Sequence, residues 1–429
     1  MNSSLDGLTL HTSLTLAPGT YWLPNGLTIA ADNVVLEGNG AVLIGSGEGV
    51  GIRMNGRSHL TLRHFTLQNF HHAIAATDCT QLTLSHITSR ATSEVTANTS
   101  FLDIWQPTEN AYGGGIFLHR VHDSSIEQCD LQHQMNGLLA YGCQRLTVRH
   151  NNASYSSGAG FYLNETSDSL FEQNVADYCC RYQPRGDQWG HGHLGADAAG
   201  FVIVRRACRN IFRRNLARLG GDGFFLAGLT PQREHVGCDD NLFEENDGSY
   251  SPNIAFEGTF SRGNVYRNNK ANHCNYGFWL GFSADCTLLD NQLFHNRQAG
   301  IAVENGVGMT VRGNDFRRNS HGVLLWSKYV ASFAQAVPAN DTSRNWLIEA
   351  NRFWRNDKGI RIAANQDHGI RPMPADTPVP PTPHSHTLHA NDLRDNRVGI
   401  ELEGVKEGEE TAVATNTFHN NLEANLCTL

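Results

Sequence analysis

One repeat limits what this chain can fold into. A Gly followed by apolar-x-apolar recurs as Gly115-Ile-Phe-Leu, Gly137-Leu-Leu-Ala, Gly160-Phe-Tyr-Leu, Gly200-Phe-Val-Ile and Gly223-Phe-Phe-Leu. It continues as Gly277-Phe-Trp-Leu, Gly300-Ile-Ala-Val, Gly322-Val-Leu-Leu, Gly359-Ile-Arg-Ile and Gly399-Ile-Glu-Leu. About 14 residues after most of these lies an Asn: Asn151, Asn174, Asn215, Asn246, Asn268, Asn291, Asn314, Asn351, Asn391. The interval is about 23 residues where no insertion intervenes. Each period holds short runs of alternating apolar residues, too short for helices. Strands of that length at that period predict a coil that rises one strand spacing, about 4.8 Å, per turn. The expected fold is all-β: a single-domain parallel β-helix over 1–429, with about a dozen rungs. A solenoid needs only neighbour contacts, so its length does not demand several domains.

Composition agrees. The 429 residues include 42 Gly and, by count, 39 Asn, but only four Lys: Lys270, Lys328, Lys358 and Lys406. Asn and Gly are poor helix formers. Asn accepts turn conformations, and stacked on its copy in the next rung it can form an amide ladder. Cys79, Cys143, Cys208, Cys238 and Cys286 form a comparable column, read as small buried residues at a turn. A net charge of −9 and no basic stripe speak against nucleic acid. No apolar run reaches the length of a membrane span. Met1–Asp6 lacks the features of a signal peptide. That fits a cytoplasmic protein, or a secreted or periplasmic one whose signal has been removed.

The Gly-led repeats resemble the right-handed parallel β-helix repeat proteins, the NosD-like or CASH-domain group of the pectin-lyase-like superfamily. "LAPGTY" (Leu16–Tyr21) and "NVVLEGNGAVL" (Asn33–Leu43) are similar to the first rungs of such helices. The resemblance implies the fold and little about function, because the fold carries many chemistries. The "GGDG" and "FEGTFS" rungs also resemble β-helix glycosidases of the inulin fructotransferase type, whose catalytic pair is an Asp and a Glu. The polygalacturonase pattern is not matched in order, and the C5-epimerase Tyr-Gly-Phe-Asp-Pro-His signature is absent.

Insertions interrupt the repeat at about 90–113, 181–197, 228–237, 327–343 and 365–386, and loops are where function tends to sit. In each Gly-led strand the residues at Gly+2 and Gly+4 point outward. They form one column of Phe117, Leu139, Tyr162, Val202, Phe225, Glu257, Trp279, Ala302 and Leu324. Its neighbour holds His119, Tyr141, Asn164, Val204, Ala227, Thr259, Gly281, Glu304 and Trp326. Flat aromatics beside carboxylates suit sugar rings. Loop or subunit cover explains the same aromatics equally well, and homo-oligomerisation stays open.

Three functions compete. The first is a glycoside hydrolase or intramolecular glycosyl transferase. Its carboxylate pair is Asp222 and Glu257, assisted by Asp197, with His191, His193, Trp279, Phe225, Trp326, Tyr162, Arg185 and Glu304 binding substrate. The structural alternative has Asp222 capping a turn and Glu257 paired with Arg262 or Arg233. The second is a polysaccharide lyase or epimerase using Arg181, Arg185, Tyr182 and His193. It ranks lower because the chain is acidic overall. The third is a non-enzymatic NosD-like carbohydrate- or metal-binding protein, which the 21 His keep open. No cofactor is implied, and no compact His/Cys/Asp set marks a metal site.

Overall fold

The computed structural model describes residues 5–95, 102–184, 192–194, 198–365, 378–408 and 410–429. It divides into two compact units, Met1–Phe225 and Leu226–Leu429. Each is a right-handed parallel β-helix. In the first unit, one sheet is built from Val50–Asn55, His72–Thr77, Gly114–His119, Leu138–Tyr141, Phe161–Asn164 and Ala199–Val204, after two shorter strands. A second sheet runs from Leu14–Thr15 through Thr80–Arg90 and Ser125–Glu127 to Ile211–Arg213. The second unit repeats this with Ile254–Thr259, Tyr276–Trp279, Ala299–Glu304, His321–Trp326, Lys358–Ala363, Val398–Glu403 and Ala424–Thr428. It adds a five-stranded third sheet, from Gln292–Phe294 to Thr417–His419. In the first unit, rungs begin well before Gly115. Gly26-Leu-Thr-Ile and Gly51-Ile-Arg-Met carry the same Gly-led motif in two of them, while His72–Thr77 has Ala73 in the place of the Gly.

The glycines answer a close approach of one rung to the next. A Cβ on Gly322 would lie 2.4 Å from the Gly359 carbonyl oxygen, and one on Gly137 2.4 Å from that of Gly160. Inside, aromatic rings stack from rung to rung. Phe161 lies on Phe201 at 4.8 Å in the first unit, and Phe316 on Phe353 at 4.6 Å in the second.

The Asn column is a ladder of buried amides. Asn291 donates from its backbone N and its Nδ2 to Oδ1 of Asn314, both at 2.9 Å, and Nδ2 also reaches the Tyr266 carbonyl. Asn314 does the same to Asn351, and Asn351 to Asn391. One expected member is corrected: Asn269, not Asn268, stands in the ladder, joined to Asn246 and Asn291. The residue before each ladder Asn turns the corner in the left-handed region, and Asn268 is that residue (φ 55°). A second ladder went unread in the sequence: Asn296, Asn319, Asn356, Asn396 and Asn421.

The cysteines are free thiols. Burial pushes Cys143 and Cys286 up to about 12, as expected of small buried groups and not of nucleophiles. On the outside, Asp–Arg pairs cross between rungs. Asp78 holds Arg120, Asp123 holds Arg145, and Asp168 holds Arg209, each through both carboxylate oxygens. That fork needs a guanidinium, which accounts for the excess of Arg over Lys.

Two outcomes are expected. Asn314→Ala leaves the donors of Asn291 and the Leu288 carbonyl unmatched in the interior. It should cost roughly 2–4 kcal/mol in urea unfolding, and substitution at the half-buried end of the ladder, Asn416→Ala, should cost less. His386 is buried among apolar strands, and burial lowers its pKa from 6.5 to about 3. The unfolded chain takes up a proton near pH 6.5 that the folded state refuses. Stability is therefore full above that pH and declines as pH falls toward about 3. His386→Leu should flatten this part of the stability–pH curve.

Candidate functional site

The outward columns are real, and the two units treat them differently. In the first unit, His72, Phe117, Tyr141 and Tyr162 form a continuous aromatic row along successive rungs. The row is largely buried where residues 102–112 of the insertion lie over it, and Tyr141 keeps one edge on a neighbouring cleft. Tyr162 donates its hydroxyl to the Ile104 carbonyl at 2.7 Å, and Asn164 donates to the Tyr162 oxygen at 2.9 Å. Loop cover, the alternative to an open sugar-binding surface, holds for Tyr162.

Beside this covered row a polar cleft of about 790 Å³ stays open, within the first unit. His119, Tyr141 and Asn164 face it from three successive strands in register. The corner residues that follow them contribute Arg120 and Glu165, and Arg205 comes from the next such corner. Trp105, from the insertion, closes one side. The Arg205 guanidinium lies 5.6 Å from the Trp105 ring centre, and Arg205 donates to the Trp105 carbonyl.

The electrostatics follow from the geometry. Asp78 grips Arg120 at 2.5 and 2.7 Å, and Arg120 donates to Nε2 of His119 at 2.7 Å. A guanidinium can only donate, so Nε2 accepts and the His119 proton sits on Nδ1. Burial, then the Arg120 charge, lowers the His119 pKa and keeps the ring neutral. Burial, with Tyr162 close by, raises the Tyr141 pKa, so its hydroxyl stays protonated.

The proposed hydrolytic residues fall elsewhere. Asp222 is fully buried at the start of strand Asp222–Ala227, in which the unit boundary falls, and Phe225 is half-buried on the same strand. Glu257 is half-buried on Ile254–Thr259 in the second unit. Of the arginines considered as its partners, Arg262 pairs with Asp285 at 3.0 Å and Arg233 lies over the Phe333 ring. In the second unit Glu257 stands directly opposite Trp279, and Glu304 opposite Trp326, so the structure gathers four predicted residues on one sheet face. Trp326 is buried there, with Ala302, Leu324 and Ala363. Asp197, His191 and Arg185 lie outside the described residues. His193 lies in an antiparallel pairing of Gly192–Leu194 with Tyr182–Pro184.

The second unit also holds a mostly apolar pocket of about 370 Å³, lined by Phe260, Phe282, Val337 and Arg262 among others. Phe333, on the short helix Ala331–Ala336 of the 327–343 insertion, packs edge-on against Phe260 and Phe282. Among the described residues no three His, Cys, Asp or Glu converge as metal ligands. No helix among them is long and apolar enough to cross a membrane.

Comparison with known proteins agrees with this architecture. Residues 107–249 match the model of the right handed beta helix region. Residues 221–427 match the family described as periplasmic copper-binding protein (NosD). The fold of the chain is the right-handed parallel β-helix. Among solved structures it is similar to the A-module of the mannuronan C-5 epimerase AlgE6 of Azotobacter vinelandii. Identity is 14%, with 95% of this chain and 91% of that chain covered at a TM-score of 0.49. It is also similar to a mannuronic acid specific polysaccharide family 6 lyase from human gut microbiota, at 14% identity over 99% and 84% of the two chains, TM-score 0.36. Gene product 12 of bacteriophage phi29 matches at 11% over 95% and 62%, TM-score 0.48. No curated protein matches the sequence.

Nitrogen-15 NMR should find His119 as the neutral Nδ1–H tautomer at neutral pH. An Nε2–H tautomer would contradict the Asp78–Arg120–His119 geometry.

Proposed function

We propose that the protein acts on an acidic oligo- or polysaccharide held in the first-unit cleft, by proton transfer of the lyase or epimerase kind. The observation that carries this is the makeup of the cleft. It lines up His119, Tyr141 and Asn164 on adjacent rungs, with Arg120 and Arg205 at the corners and Glu165 as the one carboxylate among its lining residues. A glycosidase of the usual kind needs two carboxylates across the scissile bond. Abstraction of a proton next to a sugar carboxylate needs a cation or strong donors for that carboxylate, a base and an acid.

Arg205 and the Nδ1–H of His119 would meet the sugar carboxylate and stabilise the negative charge that develops on it. Glu165 would accept the C5 proton. The Tyr141 hydroxyl, held protonated, would donate to the glycosidic oxygen in elimination or to the opposite face of C5 in epimerisation. Trp105 offers a stacking surface for a neighbouring ring. The chain as a whole is acidic, but the charge at this cleft is local and supplied by arginine. The hydrolytic reading is weaker because the fully buried Asp222 carboxyl lies away from any polymer on the outer face.

The test is incubation with uronan polymers, read by absorbance of the unsaturated uronate and by proton NMR for exchange or inversion at C5. Glu165→Gln and Tyr141→Phe should each lower turnover by about 10²–10⁴-fold with the fold retained. Full activity in both variants would overturn the assignment.

A further inference from the structure

One corner of the first-unit cleft departs from the pattern of the corners around it. Elsewhere in this unit an Asp at one corner holds the Arg at the next, as Asp78 holds Arg120 and Asp168 holds Arg209. Along the cleft the corner residues run Asp78, Arg120, Gly142, Glu165 and Arg205, one per rung, because the strands that precede them pair in register. Gly142 thus occupies the place from which a side chain could pair with Glu165. On the other side of Glu165, Arg205 is engaged by Trp105: it lies over the ring and donates to the carbonyl. Among the described residues the exposed Glu165 carboxylate therefore has neither a hydrogen bond nor an ion pair.

Neither the backbone nor packing requires a glycine here. Gly142 turns at φ 59°, but Asp78, Arg120, Glu165 and Arg205 turn the same corner at 53°, 51°, 52° and 50° while carrying side chains. Within 4 Å a Cβ on Gly142 would meet only Arg120 Cγ, at 3.6 Å, an ordinary contact. What the missing side chain provides is space. Arg120 and Glu165 stand two strand spacings apart, about 9–10 Å. At one spacing two corner side chains touch, as Asp78 and Arg120 do at 2.5 and 2.7 Å. At two spacings, with nothing between, there is room for a sugar ring.

We propose, on the reading of this cleft as a uronan site, that Gly142 is its specificity-determining position: the missing side chain seats one uronate ring between Arg120 and Glu165 and keeps the Glu165 carboxylate unpaired. The ring then lies over the rung of Tyr141, with His119 one rung before it and Glu165 one rung after. A carboxylate tied to a guanidinium has its oxygens committed, whereas an unpaired one can turn to accept the C5 proton. Arg120 does not compete for Glu165, because both of its outer donors are committed to Asp78 and His119. It forms a fixed wall of the seat.

The experiment compares the full wild-type chain with Gly142→Ala, Gly142→Gln and Gly142→Arg on uronan hexamers, by steady-state kinetics and by calorimetry. Gly142→Gln, which fills the seat without charge, should raise KM and Kd at least tenfold, and Gly142→Ala should raise them less. Gly142→Arg, which also places an ion-pair partner one rung from Glu165, should lower kcat at least tenfold below that of Gly142→Gln. Circular dichroism should match wild type in all three, since neighbouring corners carry side chains at the same φ. Where Gly142→Gln disturbs the fold, Gly142→Asn serves in its place, because Asn accepts the left-handed region. If wild type binds and converts a uronan and the substitutions leave KM and Kd unchanged, the seat at Gly142 is overturned while the cleft reaction stands. A kcat for Gly142→Arg equal to that of Gly142→Gln overturns the part of Gly142 in keeping Glu165 unpaired. If wild type neither binds nor converts any uronan, the cleft reaction itself falls, and the seat with it.

Discussion

Everything in these units follows from the rung-to-rung approach of about 4.8 Å. At that spacing a buried corner cannot bring in water, so each turn must satisfy its polar groups from the turn above or below. The asparagine ladders do this. Each amide oxygen caps two donors of one neighbouring rung, and each amide nitrogen returns a hydrogen bond to a strand carbonyl. The same spacing excludes a side chain where Gly322 meets Gly359. It lays Phe on Phe inside and pairs Asp with Arg outside. One distance thus decides the composition: many Asn and Gly, small buried Cys, and Arg in place of Lys.

Because the rungs are locked so tightly, function is left to what projects from them. A strand offers two outward side chains per rung, and a corner offers one more. In the first unit His119, Tyr141 and Asn164 are strand residues, while Arg120 and Glu165 are left-handed corner residues one step along. Column and corner together make a grid of functional groups on a fixed spacing. An insertion then decides whether a stretch of grid is covered, as at Tyr162, or left as a cleft, as beside Trp105.

The fold was legible because the repeat is a local signal, copied many times. The first asparagine ladder was also legible, apart from the Asn268–Asn269 doublet, where only the corner geometry tells which residue turns inward. From Asn291 onward the second ladder stands five residues after the first, as in Asn291 and Asn296, and was there to be seen. The site was harder to read. Its column of His119, Tyr141 and Asn164 was visible as outward-facing, but nothing in the chain marked that column above its aromatic neighbours. Asp222 drew attention through its flanking glycines, and the same glycines mark a strand start pressed close to the next rung, where a carboxyl is buried.

The sequence by itself determined a parallel β-helix, its inward and outward faces and its Gly-led strands. These depend on neighbours one period away, so the pattern along the chain contains them. Only the tertiary structure decided which outward residues are covered, which Arg meets which carboxylate, and that Arg120 holds His119 in one tautomer. Those outcomes depend on an insertion folding back over rungs far along the chain, and no periodicity records where a loop comes to rest.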